Sequence, residues 1–209
     1  MIERKVGRAL VLAAAVATMV TQLDGCIFPV VVGAVGAGAY SATDRRSLGA
    51  QADDKLIASR VESRVTDALS DRSHINVNSF NRRVLLTGEV PDQAAKDKAE
   101  QIAKSVDNVY AVKSDLEVSG MTPSSARNND AYLTTKVKAE LVNRKDIFAN
   151  AYKVVTEKSV VYLMGRVTRE EGDKAAEAAA GVSGVQQVVK VFEYLSDAEL
   201  AQIQKTGAK

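Results

Sequence analysis

The chain has few of the residues on which most enzyme and metal sites depend. Its 209 residues include one cysteine, one histidine and no tryptophan, and only 5% are aromatic. No cluster of His or Cys has metal-ligand spacing, and the phosphate-loop and serine-nucleophile motifs are missing. A net charge of +2 does not indicate nucleic acid as a partner. We therefore expect no catalytic residue, no metal and no cofactor, and we interpret His74 as a surface or loop histidine.

The N-terminus has the composition of an export signal. The basic residues Arg4, Lys5 and Arg8 precede an apolar run over residues 9–20. That run is shorter than the about 20 residues needed to cross a bilayer, but it suits a secretory signal. We predict a signal peptide over residues 1–25.

Cys26, the only cysteine, directly follows this segment. Leu23 and Gly25 ahead of it resemble a bacterial lipobox, although Asp24 departs from the small residue usual there. The resemblance implies that Cys26 is acylated and that residues 26–51 are a lipidated tether. The alternative is an ordinary signal peptide with an incidental cysteine. By analogy with bacterial lipoproteins, Ile27 after the cysteine favours the outer membrane.

One stretch of sequence occurs twice. Residues 84–90 and 161–167 are apolar runs 77 positions apart, each with one late glycine, Gly88 or Gly165. Such runs indicate buried strands, and a glycine within a strand usually marks a close approach of two backbones. The repeat predicts two similar domains.

Each copy is predicted to fold as helix-strand-strand-helix-strand. The fold class is α+β, with a three-stranded mixed sheet covered on one face by two helices and a right-handed crossover. In the first helix, Leu56, Val61, Val65 and Leu69 form the expected apolar stripe. The predicted segments are a first domain over 52–118, a linker over 119–128, a second domain over 129–195 and a tail helix over 196–209.

The second copy has its own predicted bounds. Its helices are expected over 130–143 and 169–180, and its strands over 153–157, 161–167 and 185–194. Aligning Val65 with Val137 gives an offset of 72 for the first helices, which makes Arg60 and Arg64 the counterparts of Tyr132 and Lys136. On that alignment, the first copy has a charged outer face.

The strand with its glycine and a late Val182-Ser183-Gly184-Val185 turn resemble the BON domain. Two such domains behind a lipobox resemble the dual-BON lipoproteins of the bacterial outer membrane, most specifically at residues 42–49, 129–137 and 162–165. This resemblance implies a structural role for Gly88, Gly165 and Gly184. It also implies a periplasmic, lipid-anchored protein that supports outer-membrane integrity, is enriched at division sites and binds anionic phospholipid, such as phosphatidylglycerol or cardiolipin.

In this family the first helix of the second domain would bind the lipid. Leu133, Val137 and Leu141 recur at helical spacing and form the expected core face. A second face carries apolar and basic residues together, as a membrane interface requires. Its candidate lipid-binding residues are Tyr132, Thr135, Lys136, Lys138, Ala139 and Val142.

Two alternatives stay open from the sequence. Tyr132 could instead pack against the other domain or the tail helix. The whole chain could instead be an envelope adaptor that recruits a protein partner by strand addition at its sheet edges.

Overall fold

The computed structural model describes residues 44–69 and 72–207, which contain two similar domains. The predicted signal peptide, Cys26 and most of the predicted tether lie outside these residues. The first domain comprises α1 (Leu48–Ala68), β1 (His74–Phe80), β2 (Arg83–Val90), α2 (Gln93–Ser105) and β3 (Ala111–Val118). The second comprises α3 (Ser124–Asn143), a 3-10 turn (Ala149–Ala151), β4 (Tyr152–Glu157), β5 (Val160–Val167), α4 (Arg169–Ala180) and β6 (Gln187–Tyr194), and α5 (Asp197–Gly207) follows it.

Each domain has one mixed sheet, as predicted. The strand orders are β1-β2-β3 and β4-β5-β6. The first two strands of each sheet form an antiparallel hairpin, and the third lies parallel to the second after a crossover helix. The α+β prediction is therefore confirmed for both copies.

The helix ends follow their capping residues. Asp92 accepts from the N–H of Ala95 at the start of α2, and Thr168 and Glu171 form the predicted capping box of α4. Ser196, just before α5, donates to the carboxylate of Glu199 in its first turn, also as predicted.

Helix α3 begins at Ser124, six positions before the predicted start at residue 130. The composition of Pro123 and the polar residues after it predicts a linker, and not a helix, at this place. A proline at a helix start loses nothing, because the first N–H groups of a helix have no intrahelical partner. The carbonyl of Pro123 accepts from the N–H groups of Ala126 and Arg127, which starts the helix within the predicted linker.

The two sheets pack against each other. Alternate residues of β2 point to opposite faces, so Val84, Leu86 and Val90 pack under α1 and α2 while Leu85 faces the second domain. The buried interdomain cluster contains Phe80, Leu85, Val155, Tyr162 and Met164. Two sheets lie between two layers of helices, which buries the second face that each small domain would otherwise expose.

Between residues 44 and 207, leaving out 70 and 71, none of the helices is both long and apolar enough to cross a membrane.

Candidate functional site

Helix α3 packs on the second sheet through the predicted apolar stripe. Leu133, Val137 and Leu141 are all buried, with at most 2% exposed. Asp130, also buried, accepts hydrogen bonds from the backbone N–H groups of Lys158 and Ser159 in the β4–β5 turn, at 2.9 and 2.8 Å. These contacts fix the rotation of the helix and therefore which side chains point outward.

The opposite face of α3 is open to solvent. Tyr132 is 63% exposed and Val142 is 69% exposed, and the two lie ten positions apart on the same side of the helix. Thr135, Lys138 and Ala139 are exposed between them. An exposed Tyr132 does not pack beneath the other domain or the tail helix, so that alternative is wrong. The structure brings the six predicted residues onto one side of the helix.

Lys136, one of the candidate lipid-binding residues, has its ammonium in contact with other groups of the chain. Its Nζ donates to the carbonyl of Ser183 at 2.6 Å and lies 5.5 Å from the centre of the Tyr132 ring. Ser183 precedes Gly184, whose φ is +103° and whose added Cβ would lie 2.8 Å from Leu133 Cδ2. Gly184 therefore lets this loop lie close to α3, where the carbonyl of Ser183 accepts from Lys136. Lys138 is the more available cation of the face.

The alignment of the two first helices by 72 positions is wrong. Asp54 accepts from the backbone N–H groups of Asn81 and Arg82, as Asp130 does from the matching turn, and the two aspartates lie 76 positions apart (54 and 130). Ile57, Val61 and Val65 are the buried stripe of α1, and Leu56 is 53% exposed. The error is about one helical turn, because a stripe repeating every 3.6 residues matches itself almost as well when shifted by four.

The corrected alignment changes which residues distinguish the second domain. Tyr132 now corresponds to the exposed Leu56 and Lys136 to Arg60, so both helices carry an outward apolar residue and a cation one turn later. The difference lies further along the helix. Lys138 and Val142 of α3 take the places of Glu62 and Thr66 in α1. The outer face of α3 is more basic and more apolar than that of α1 near its C-terminal end.

A cleft of about 620 Å³ adjoins this end of α3. Its walls combine apolar side chains with cations from three parts of the chain. They include Asp44, Arg46, Leu48, Phe80, Lys138, Leu141, Val142, Tyr152 and Lys153.

Two of these cations were not identified from the sequence. Arg46 stacks 3.9 Å from the centre of the Phe80 ring and bonds to Asp44 and Asp54, at 2.8 Å in each case. Burial, together with the positive charge of Arg46, lowers the pKa of Lys153. The Nζ of Lys153 donates to the carbonyl of Ser79 at 3.4 Å, and no acidic residue of 44–69 or 72–207 forms an ion pair with it. The sequence signal that was available is a lysine at the start of a predicted strand that is otherwise largely apolar, because lysine is rarely buried.

The segment ahead of α1 is held against the second domain. Arg45 donates to the carboxylate of Glu171, with one bond of 2.7 Å, and to the carbonyl of Arg166 at 2.9 Å. The hydrogen bonds from Arg45 lower the pKa of Glu171. Asp44, the first described residue, lines the same cleft as Lys138 and Val142. The described fold therefore begins beside the outer face of α3.

His74 was expected at the surface or in a loop; it lies in a strand and its side chain is 23% exposed. It is the first residue of β1 and is half-buried, and its Nδ1 lies 3.3 Å from Oε2 of the buried Glu89. No local sequence pattern predicts this contact, because β-sheet pairing brings together residues 15 positions apart.

The helix-strand-strand-helix-strand order, the mixed sheet and the paired strands with their glycines define a small α+β domain that occurs twice. The BON domain family matches residues 53–120 and 129–196, so the chain belongs to the BON family and contains two BON domains.

Relatives extend the match across most of the chain. Outer membrane lipoprotein DolP of Haemophilus influenzae is 38% identical over 175 residues, which cover 83% of this chain and 90% of DolP. The 21 kDa hemolysin of Actinobacillus pleuropneumoniae is 32% identical over 73% of this chain and 79% of its own. Osmotically-inducible protein Y of Escherichia coli is 31% identical over 65% of this chain and 70% of its own.

Proposed function

We propose that this protein is a lipid-anchored envelope protein whose second BON domain binds anionic phospholipid. The observation that carries the proposal is the outer face of α3, where Tyr132, Lys138 and Val142 are exposed together beside the cleft that Asp44 lines. Apolar and basic side chains on one exposed helix face suit a membrane interface.

The side chains of this face match the layers of a bilayer surface. A tyrosine ring is favoured at the level of the headgroups, because its body is apolar and its hydroxyl is polar. Val142 adds apolar area, and the ammonium of Lys138 meets lipid phosphate. Each lysine near an anionic surface contributes about 1 kcal/mol. The contact is weak by itself and depends on the anionic lipid content.

The cleft provides a second place where a negatively charged group of a lipid could bind. The exposed Lys138 and the more deeply placed Lys153 both line it, and Leu48 and Val142 add apolar walls. A half-buried lysine without a carboxylate partner gains stability when an anion approaches. We infer that a phosphate headgroup reaching this cleft is held by both ammonium groups while its acyl chains stay in the membrane.

Attachment at two points makes the weak contact effective. Acylation of Cys26 with two or more chains would anchor the protein stably. The 18 positions from Cys26 to Asp44 span at most about 60 Å when extended. This short link keeps α3 at a high local concentration of lipid and biases the protein toward anionic regions. The name of the DolP relative, an outer membrane lipoprotein, supports the periplasmic face of the outer membrane as the location.

Co-sedimentation with vesicles tests the lipid contact without the anchor. The protein used is the chain from Ile27 onward, which keeps every described residue, including Arg45 and Arg46. It should bind vesicles containing phosphatidylglycerol and bind pure phosphatidylcholine vesicles weakly. The double variant Lys138→Glu with Val142→Thr gives α3 the residues of α1 and should weaken anionic binding at least tenfold, about 1.4 kcal/mol. Raising the salt concentration should weaken binding further, because the charge contribution is screened.

The matched control is Lys98→Glu, an exposed charge reversal on α2 of the first domain. It changes the charge in the same sense at a position outside the proposed face and should bind nearly as the unchanged chain does. Equal losses in both variants would indicate a general charge effect and no lipid-binding face. Absence of binding to any vesicle would favour the adaptor alternative, in which a protein partner is recruited.

A further inference from the structure

Two buried glutamates and the histidine come together where the two sheets meet. His74 begins β1, Glu89 lies near the end of β2, and Glu157 ends β4. One potential ligand atom from each residue lies within 4.8 Å of the other two. The group shares no residue with the lipid-binding face of α3, and the proposed function leaves it without a role.

Strand pairing builds the group. In the antiparallel register His74 lies directly opposite Glu89, so their side chains share one face of the first sheet. Asn76, two residues on and therefore on the same face, donates its Nδ2 hydrogen to Glu157 Oε2 at 3.1 Å. That bond crosses from the first domain to the second and holds the Glu157 carboxylate next to the other two side chains.

The negative charges of this group are only partly balanced by the residues around it. Glu89 is fully buried and Glu157 is 5% exposed. Lys158 Nζ lies 3.3 Å from Glu89 Oε1, and hydrogen bonds from Thr122 together with this lysine outweigh burial and lower the pKa of Glu89. Glu157 forms no ion pair with a lysine or arginine of the described residues. Burial raises its pKa, and the neighbouring charges of Glu89 and Asp130 add to that effect.

Buried carboxylates are normally paired with a cation or bound to a metal. The lysine approaches Oε1 of Glu89, whereas Oε2 faces His74 and also accepts from the N–H of Thr122 at 3.3 Å. The side of the group between His74 and Glu157 therefore has two carboxylates, one imidazole and no fixed positive charge. His74 is 23% exposed at its side chain, which provides a path from solvent.

We propose that His74, Glu89 and Glu157 bind a divalent transition-metal ion, with Zn²⁺ the best suited. One imidazole nitrogen and two carboxylate oxygens are zinc ligands, and a site with three protein ligands leaves a fourth position for water. Magnesium and calcium prefer oxygen ligands alone, so the imidazole argues against both. Ligand atoms must lie about 2.0–2.2 Å from zinc, so small side-chain rotations would draw the three atoms inward.

A metal here would link the two domains. His74 and Glu89 belong to the first domain and Glu157 to the second, so the bound ion replaces a repulsion across the interface with three bonds. Because the site is assembled only in the folded chain, binding adds to folding stability. The proposal departs from the sequence-based expectation of no metal. Spacing along the chain does not reveal a site assembled by packing between domains.

Zinc titration of the chain from Ile27 onward tests the site. This chain has no cysteine and one histidine, so competing zinc ligands are few. Equilibrium dialysis against ZnCl₂ should give one zinc per chain. At a zinc concentration 100 times Kd, the Tm should rise by about 5–10 °C. His74→Ala and Glu157→Gln should each abolish both effects.

Glu117→Gln is the matched control, because Glu117 contacts Lys158 at 2.7 Å but lies outside the three-residue group. It should bind zinc as the unchanged chain does. Circular dichroism of the zinc-free variants checks their folding, and the partly exposed His74 makes His74→Ala the safer of the two. No stoichiometric binding, or binding that survives in both His74→Ala and Glu157→Gln, would overturn the proposal. A Tm that zinc leaves unchanged would also overturn it.

Discussion

Gly88 and Gly165 occupy equivalent places in the two repeated strands but differ in backbone conformation. An added Cβ at Gly88 would lie 2.1 Å from the carbonyl oxygen of His74, and one at Gly165 would lie 2.8 Å from that of Ala151. Gly88 also has a φ of +113°, a region that side-chain-bearing residues rarely adopt. The first copy therefore depends on its glycine for two reasons and the second for one.

Replacing Gly88 with alanine should destabilise the protein by about 1–3 kcal/mol, because the strained φ and the backbone clash act together. Gly165→Ala should cost less. Urea unfolding measures both. Gly120→Ala is the control, since its added Cβ would have no neighbour within 4 Å. A Gly88→Ala variant as stable as Gly120→Ala would contradict this account of the strand.

At the scale of elements, each first helix is fastened to its hairpin by one buried aspartate. Asp54 accepts from the turn of the first hairpin and Asp130 from that of the second, and residues with positive φ form both turns. Hydrogen bonds from Arg82, Ser79 and Arg46 overcome burial and lower the pKa of Asp54. A charged acceptor thus fixes the rotation of α1 relative to its hairpin.

Asp54→Asn should destabilise the protein by about 2 kcal/mol at pH 7, because it removes a charged acceptor from several buried donors. The sign of the pH effect follows from the lowered pKa. The contribution of the Asp54 carboxylate is present above the unfolded pKa of about 3.9 and is lost as pH falls through the lower folded value. Unfolding curves between pH 6 and 2 should therefore lose stability less steeply in Asp54→Asn. Parallel slopes in the two proteins would show that Asp54 has no such role.

The order of helices and strands was predicted correctly from the sequence, but the alignment of the two domain copies was less accurate. Repeated strands, capping residues and the Leu133, Val137 and Leu141 stripe depend on local pattern, so they were predictable. The alignment of α1 with α3 was wrong by one turn, because an apolar stripe matches itself almost as well when it is shifted by four residues. Only the contacts of Asp54 and Asp130 with their hairpin turns fix the correct alignment. The interdomain contacts of Arg45, Lys153 and Glu157 depend on packing between domains, which no local pattern encodes.

At the scale of the whole molecule, residues 44–47 ahead of α1 form a strap that Arg45 holds against the second domain. The carboxylate of Glu171 that Arg45 binds also caps α4 by accepting from the N–H of Thr168 at 2.9 Å. Arg45 therefore joins the segment before α1 to the end of β5 and to the start of α4.

Arg45→Ala should lower the free energy of unfolding by about 1–3 kcal/mol, the usual value for lost hydrogen bonds to a charged group. Guanidinium unfolding of the chain from Ile27 onward measures the loss. Arg60→Ala, on the exposed face of α1, should change stability by less than about 0.5 kcal/mol. If the two variants were equally stable, the strap would contribute nothing to holding the fold together.

We propose that the outer face of α3, and not the matching face of α1, meets the membrane. The chain from Ile27 onward has no cysteine, so Ala139→Cys and Ser63→Cys place a single spin label at corresponding positions of the two helices. Collision with a lipid-soluble and a water-soluble relaxing agent is measured on phosphatidylglycerol vesicles. We expect the label at position 139 to be shielded from the water-soluble agent and exposed to the lipid-soluble one. The label at position 63 should stay in water. Equal exposure of both labels to water would contradict it.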